Sequence, residues 1–241
     1  MPTHRLFPTL PLLALCNCLA AQVTEAFTDG DFLQDPAWSG TVERFTVVED
    51  DGNARLRSNS TAAGTYFLST PNTLMDHTRW SFFIDLRFAT SGANHVDVFL
   101  VSDGSDPATA NGYFLRMGGT QDRFELFRSD AGAATSTGLQ SADGTVGSSS
   151  SNPFHVQVTR DGDGTFTLAL APSGNPDLTT VGSATDNTHG TTGHFVFRVV
   201  QSAAAAPVNK HFFDDILISA IPVDTFPPVL ITAEPLDTNT V

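Results

Sequence analysis

Apolar and polar residues alternate at a period of two in short stretches along most of the chain. The clearest stretches are 44–48, 54–57, 65–70, 79–88, 95–102, 113–118, 123–128, 154–160, 165–171, 194–201 and 211–218. Such a period puts alternate side chains on opposite faces of an extended backbone, so each stretch predicts a strand with one buried face. No segment of ten or more residues carries the longer period of an amphipathic helix. Six Asp-Gly pairs, starting at 29, 51, 103, 143, 161 and 163, punctuate the pattern. Asp-Gly is a strong signal for tight turns between strands. About a dozen short strands without helices predict an all-β fold, an antiparallel two-sheet sandwich of the jelly-roll kind.

Composition supports this reading and narrows the partners. The 241 residues include 21 Asp but only five Glu, and Asp favours turns where Glu favours helices. Phenylalanine supplies much of the expected core, with Phe82, Phe88, Phe114, Phe124, Phe154, Phe166, Phe195 and Phe197 on apolar faces. A chain of this size can bury roughly 70% of its unfolded surface, enough for one large core. The formal charge of −14 excludes a nucleic-acid backbone binder, which needs a basic stripe. Beyond the first two dozen residues no apolar run is long enough to span a bilayer.

The two ends read differently from the middle. Residues 1–21 contain one Arg, an apolar run from Leu10 to Leu19 and then small residues, the layout of a secretory signal cleaved after Ala20 or Ala21. The alternative is a lipid-anchored N-terminus at Cys16 or Cys18, with Leu15 and Asn17 standing where a small residue is wanted. Both cysteines lie in this segment, so the exported protein would have no disulfide and must rely on its core, or on metal ions. One β-sandwich domain is expected over 22–222. Residues 223–241 break the pattern with Pro227-Pro228 and resume at Val229–Thr232, as a linker leading into the start of a truncated domain.

Several stretches, taken in order, resemble the N-terminal domain of large secreted surface proteins of Bacteroidetes. They are Phe27-Thr28-Asp29-Gly30-Asp31-Phe32 with Trp38 after it, 66–71, Phe99-Leu100-Val101-Ser102-Asp103, Asn111-Gly112-Tyr113-Phe114-Leu115, 125–128, 158–161 and Phe212-Phe213-Asp214-Asp215-Ile216. The match spans nearly all of 24–220. The resemblance implies a concanavalin A-like jelly roll, with lamin-tail or bacterial immunoglobulin-like domains further along the chain, and 225–241 resembles the opening of such an immunoglobulin-like domain. It implies no activity, because fold does not fix function.

Catalytic signatures are weak throughout. Laminarinase-type glycosidases of this fold carry a run of alternating acids on one strand. Glu49-Asp50-Asp51-Gly52 begins such a run and lacks the second Glu, and Glu125 has no acidic partner two or four residues away. There is no G-x-S-x-G elbow, phosphate loop or H-E-x-x-H motif, and the seven histidines show no zinc spacing. A divergent polysaccharide hydrolase stays open as the alternative, with Asp85 and Asp97 as its only candidate acids.

The stronger candidates are for binding. If 79–88 and 95–102 pair as a hairpin, then Asp85, Arg87, His95 and Asp97 share one sheet face beside Phe83 and Phe99, and Arg116 and Glu125 extend it. Such a strip could grip a hydroxyl-rich sugar, or could be a solvated face whose charges pair across strands. Trp38 reads as a cap on the core rather than as a sugar platform. Asp29 and Asp31, near the start, could share a structural calcium ion with Asp214 and Asp215 in the last strand, since first and last strands often neighbour one another in jelly rolls; the alternative is a turn at Asp29–Asp31 and a solvent-facing bulge at Asp214–Asp215. The sequence therefore predicts an exported, non-catalytic module at the cell surface. Its work would be contact with polysaccharide or extracellular matrix, or spacing within a larger adhesive protein.

Overall fold

The computed structural model describes residues 21–223 apart from 174 and 176. The expected export signal and most of the stretch after 222 lie outside the described residues. Two antiparallel sheets face each other, and no α-helix occurs among the described residues.

The first sheet runs in the order β13 (Thr179–Thr185), β12 (Thr165–Pro172), β11 (Pro153–Arg160), β6 (Thr78–Leu86), β15 (His211–Ala220), β4 (Asn53–Ser58) and β3 (Phe45–Asp50). A further strand, β1 (Ala21–Glu25), also pairs with β15. β15 serves two partners on that side, β4 at Phe212–Phe213 and β1 from Ile216 to Ser219. A bulge at Asp215–Ile216 separates the two halves, with Asp215 at a φ of 50°. The extra residue re-aims the strand there.

The second sheet runs β10 (Ala133–Gln140), β9 (Arg123–Asp130), β8 (Gly112–Gly118), β7 (His95–Ser102), β14 (His194–Gln201), β5 (Gly64–Pro71) and β2 (Ser39–Gly40). Between the sheets lies one continuous core. Trp80, Phe82, Ile84 and Leu86 of β6 meet Val98, Leu100, Phe195 and Phe197 of the facing sheet. Trp38 is buried in this core, its ring stacked on Phe197 at 5.4 Å between centroids, as a cap rather than a platform.

One expectation fails and matters for the site. β6 and β7 follow one another in sequence but do not form a hairpin. β6 pairs with β11 and β15, whereas β7 pairs with β14 and β8 in the other sheet. The segment 87–94 is therefore a crossover between sheets. Sequential strands pair only about two-thirds of the time, and this junction is one of the exceptions.

Candidate functional site

Because β6 and β7 belong to different sheets, the six charged residues expected on one strip fall on two outer faces. Asp85 and Arg87 stand on the outside of the first sheet. His95, Asp97, Arg116 and Glu125 stand on the outside of the second.

On the first sheet, Asp85 is buried and accepts hydrogen bonds from the Asn152 backbone N–H at 2.8 Å and from Arg87 Nε at 2.7 Å. The Arg87 guanidinium also donates to Asp50 at 2.8 and 2.6 Å and lies 3.9 Å above the Phe212 ring. Arg87 is the main reason that the Asp50 carboxyl titrates below its ordinary range. Arg55 contacts the same carboxylate and covers Phe83. Every carboxylate in this cluster is engaged by arginine, serine or backbone. That suits it to hold strands β3, β4 and β6 in place more than to receive a ligand.

On the second sheet the register builds two adjacent cross-strand rows. In one row Phe67 (β5) stands opposite Arg198 (β14), Arg198 opposite Asp97 (β7), Asp97 opposite Arg116 (β8), and Arg116 opposite Glu125 (β9). In the next row Val196, Phe99, Phe114 and Phe127 follow one another across the same strands. Alternate charges thus lie beside an apolar strip that forms its own small cluster outside the main core. Asp97 is fully buried at the centre. It accepts from Arg116 Nε at 2.7 Å and from Arg198 Nη2 at 2.6 Å, with His95 Nε2 at 3.7 Å. Burial by itself would raise the Asp97 carboxyl. The His95 ring and the two guanidiniums outweigh it and hold the group below the ordinary carboxylate range. The guanidinium planes spread over the phenylalanine strip, with Arg116 4.9 Å from the Phe127 centroid and Arg198 5.0 Å from that of Phe99. Glu125 is taken by Arg123 at 2.8 Å and by Ser136 at 2.6 Å.

A cleft of about 390 Å³ opens at the Arg198 end of this row, lined by Thr65, Phe67, Asp106, Pro107, Gly132 and Arg198 together with Ala108. Its outer wall is the β7–β8 connection, 103–111. That wall is built rather than loose. Asp103 accepts from the Asn111 backbone and side chain at 2.8 Å each, Ser129 donates to the Ala110 carbonyl at 2.8 Å, and Arg198 Nη1 donates to the Pro107 carbonyl at 3.3 Å. Gly132 lets the wall approach: a Cβ there would stand 2.0 Å from the Ala108 carbonyl oxygen, at a φ of +85° that already favours glycine. A cleft with one half-buried ring, a guanidinium floor, a hydroxyl and a rim carboxylate has the mixed lining of small-molecule sites. A second cleft, of about 400 Å³, sets Phe154, Leu170, Pro172 and Val181 beside the polar side chains of Gln140, Ser141, Thr145 and Thr179 and is lined by no charged side chain.

The four aspartates expected to share a calcium ion are placed as follows. β1 and β15 do pair, as expected of first and last strands. Asp29 and Asp31, however, fold back on their own loop: Asp29 accepts from the Asp31 N–H at 3.0 Å, and Asp31 from those of Phe32 and Leu33 at 2.7 and 2.8 Å. Asp214 is buried, accepts from Asn53 at 2.6 Å and lies 3.6 Å from Arg55, while Asp215 is exposed on the bulge. Among the described residues no three His, Cys, Asp or Glu side chains stand together as a group able to hold a metal ion, so the expected convergence is not found. The Asp85–Asp97 pair fails as well, because outer faces of opposite sheets cannot flank one glycosidic bond. Among the described residues no helix is long and apolar enough to cross a membrane.

The chain matches no family model and no curated protein by sequence. Its fold is shared with solved structures of low identity. The carbohydrate-binding module CBM66 from Bacillus subtilis aligns at a TM-score of 0.52 and 17% identity, over 76% of this chain and 94% of that one. The carbohydrate recognition domain of Emp47p aligns at 0.57 and 11%, over 86% and 97%. The exoplasmic/lumenal domain of VIP36, in a form with calcium and mannose bound, aligns at 0.55 and 8%, over 78% and 84%. A GH43 protein, BlXynB from Bacillus licheniformis in mutant form, aligns at 0.54 and 12%, over 88% of this chain but 41% of that one. The chain has the two-sheet jelly-roll fold found in carbohydrate-binding modules and lectins.

Proposed function

We propose that this chain is an exported carbohydrate-recognition module and that it takes sugar in the cleft on the outer face of the second sheet. The observation that carries the reading is the meeting of Phe67, Arg198, Thr65 and Asp106 around one opening. Sugar rings present apolar C–H faces and a fringe of hydroxyls. A half-buried phenylalanine takes the first, while guanidinium N–H groups and a carboxylate take the second. The cleft near Phe154 has an amide and hydroxyls but neither a guanidinium nor a carboxylate. The neighbouring structures described as carbohydrate-binding support the reading, and the signal-like residues 1–21 support export. A larger surface protein with further immunoglobulin-like domains remains the proposed setting.

The test is affinity electrophoresis of the full chain through gels containing individual polysaccharides, beside Phe67→Ala and with an assay for released reducing ends. Retardation without cleavage, weakened at least about tenfold in Phe67→Ala, is expected; such a loss corresponds to about 1.4 kcal/mol. Cleavage would favour the hydrolase reading. Calcium stays in the design because the VIP36 structure carries it. Retardation is expected to be the same in calcium and in EDTA, since Asp97 is held by arginines and Asp106 by the Ala108 N–H.

A further inference from the structure

We propose that the cleft selects an uncharged glycan and excludes uronate and sulfated polymers; this rests on the cleft being the sugar site. A site for an anionic sugar needs a cation whose charge no carboxylate already offsets, because carboxylate and sulfate are captured by a guanidinium or ammonium free to pair with them. The second sheet carries four arginines, Arg116, Arg123, Arg128 and Arg198, and each is already committed. Arg116 and Arg198 share Asp97, at 2.7 and 2.6 Å. Arg123 holds Glu125 and Asp143, both at 2.8 Å. Arg128 holds Asp130 and Asp186, at 3.0 and 2.9 Å.

The fork facing the cleft is the decisive one. Arg198 turns its Nε and Nη2 edge into Asp97, at 3.1 and 2.6 Å, and spends an Nη1 donor on Pro107. What remains is one N–H on Nη1 and one on Nη2, enough for hydroxyl oxygens, on a guanidinium whose charge Asp97 already offsets. Asp106 stands across from it with one oxygen on the Ala108 N–H at 2.9 Å, leaving the other to accept from sugar hydroxyls and to repel a carboxylate. Among the described residues the cations in no ion pair are Arg57, Arg79 and Lys210, on β4, on β6 and before β15, all belonging to the first sheet. The formal charge of −14 adds a long-range barrier to polyanions.

The full chain is run through gels containing a neutral β-glucan, a neutral mannan, polygalacturonate or carrageenan, at about 20 and about 200 mM NaCl, so that screening separates long-range repulsion from contact. At least one neutral polymer is expected to retard it, with binding at least about tenfold tighter than to either anionic polymer at both salts. Asp106→Lys, at an exposed loop position, is expected to gain retardation by polygalacturonate that falls with salt; its thermal melt shows whether it is folded. Retardation of the unaltered chain by an anionic polymer as strong as by the neutral ones overturns the selectivity and leaves the sugar reading standing. A folded Asp106→Lys chain that gains nothing overturns the charge argument. No retardation by any polymer removes the sugar reading, and this inference with it.

Discussion

Asp97 is the residue on which the second sheet's outer face depends. It is fully buried and is the common acceptor of two guanidiniums. Asp97→Ala leaves both cations partly buried and unpaired, which costs about 3–5 kcal/mol for broken buried pairs. Urea denaturation would read this as a lower midpoint with little change in slope. Gly132 acts differently, because its missing Cβ is what admits the wall 103–111. Gly132→Ala is expected to reduce sugar binding at least about tenfold while leaving the aromatic near-ultraviolet circular dichroism of the core intact. Loss of the core signal together with binding would show that the glycine serves folding and not the cleft. Of the residues that line this cleft, the alternation placed Phe67 and Arg198 in strands but gave no reason to put them together. They are about 130 positions apart, and only the insertion of β14 between β5 and β7 makes them neighbours.

The strands show where sequence patterning carries information. The strands β3–β9, β11, β12, β14 and β15 were legible, and several, such as β7 and β14, end where the alternation ends. The ones that left no signal are β1, β2, β10 and β13. β10 and β13 are sheet edges rich in Ser, Thr and Ala, and β1 and β10 each send a single large apolar side chain, Val23 and Leu139, into the core, too few to alternate. Polar edges are a known device against edge-to-edge association. Pairing was less legible than the strands themselves. Asp97, Arg116 and Glu125 do align across β7, β8 and β9, yet Asp85 and Arg87 went to the other sheet, since a short connection can cross a sandwich as easily as close a hairpin.

β15 carries a pH dependence of its own. His211 is wholly buried, its Nδ1 2.9 Å from Ser58 Oγ of β4 and its ring against Phe88. Desolvation, assisted by His95, pushes it down to about 3 from an ordinary value of 6.5. The unfolded chain therefore binds the proton first. Stability is complete above about pH 6.5 and falls with pH toward 3, by up to about 1.4 kcal/mol per unit from this one group. The depressed Asp97 carboxyl adds a loss in the same direction at lower pH. Melting curves from pH 7 to pH 4 should shift steadily downward, and His211→Asn should flatten the slope. An unchanged slope would assign the acid sensitivity elsewhere.

At the scale of the molecule, two sheets enclose one aromatic core and leave two outer faces with different work. The first sheet's face is a closed network of Arg55, Arg87, Asp50 and Asp85 over Phe83 and Phe212. The second sheet's face repeats the arginine-over-phenylalanine arrangement but opens into a cleft beneath a fixed loop. The fold class follows from alternation and turn chemistry, whereas the cleft follows from long-range topology that local patterning does not encode. The most direct test is hydrogen–deuterium exchange of the full chain with and without a saturating neutral oligosaccharide drawn from the polymer that retards it. Slower exchange confined to 65–67, 104–109 and the neighbourhood of Arg198 is the predicted result. Protection on the first sheet's face, or around the second cleft near Phe154 and Leu170, would contradict it.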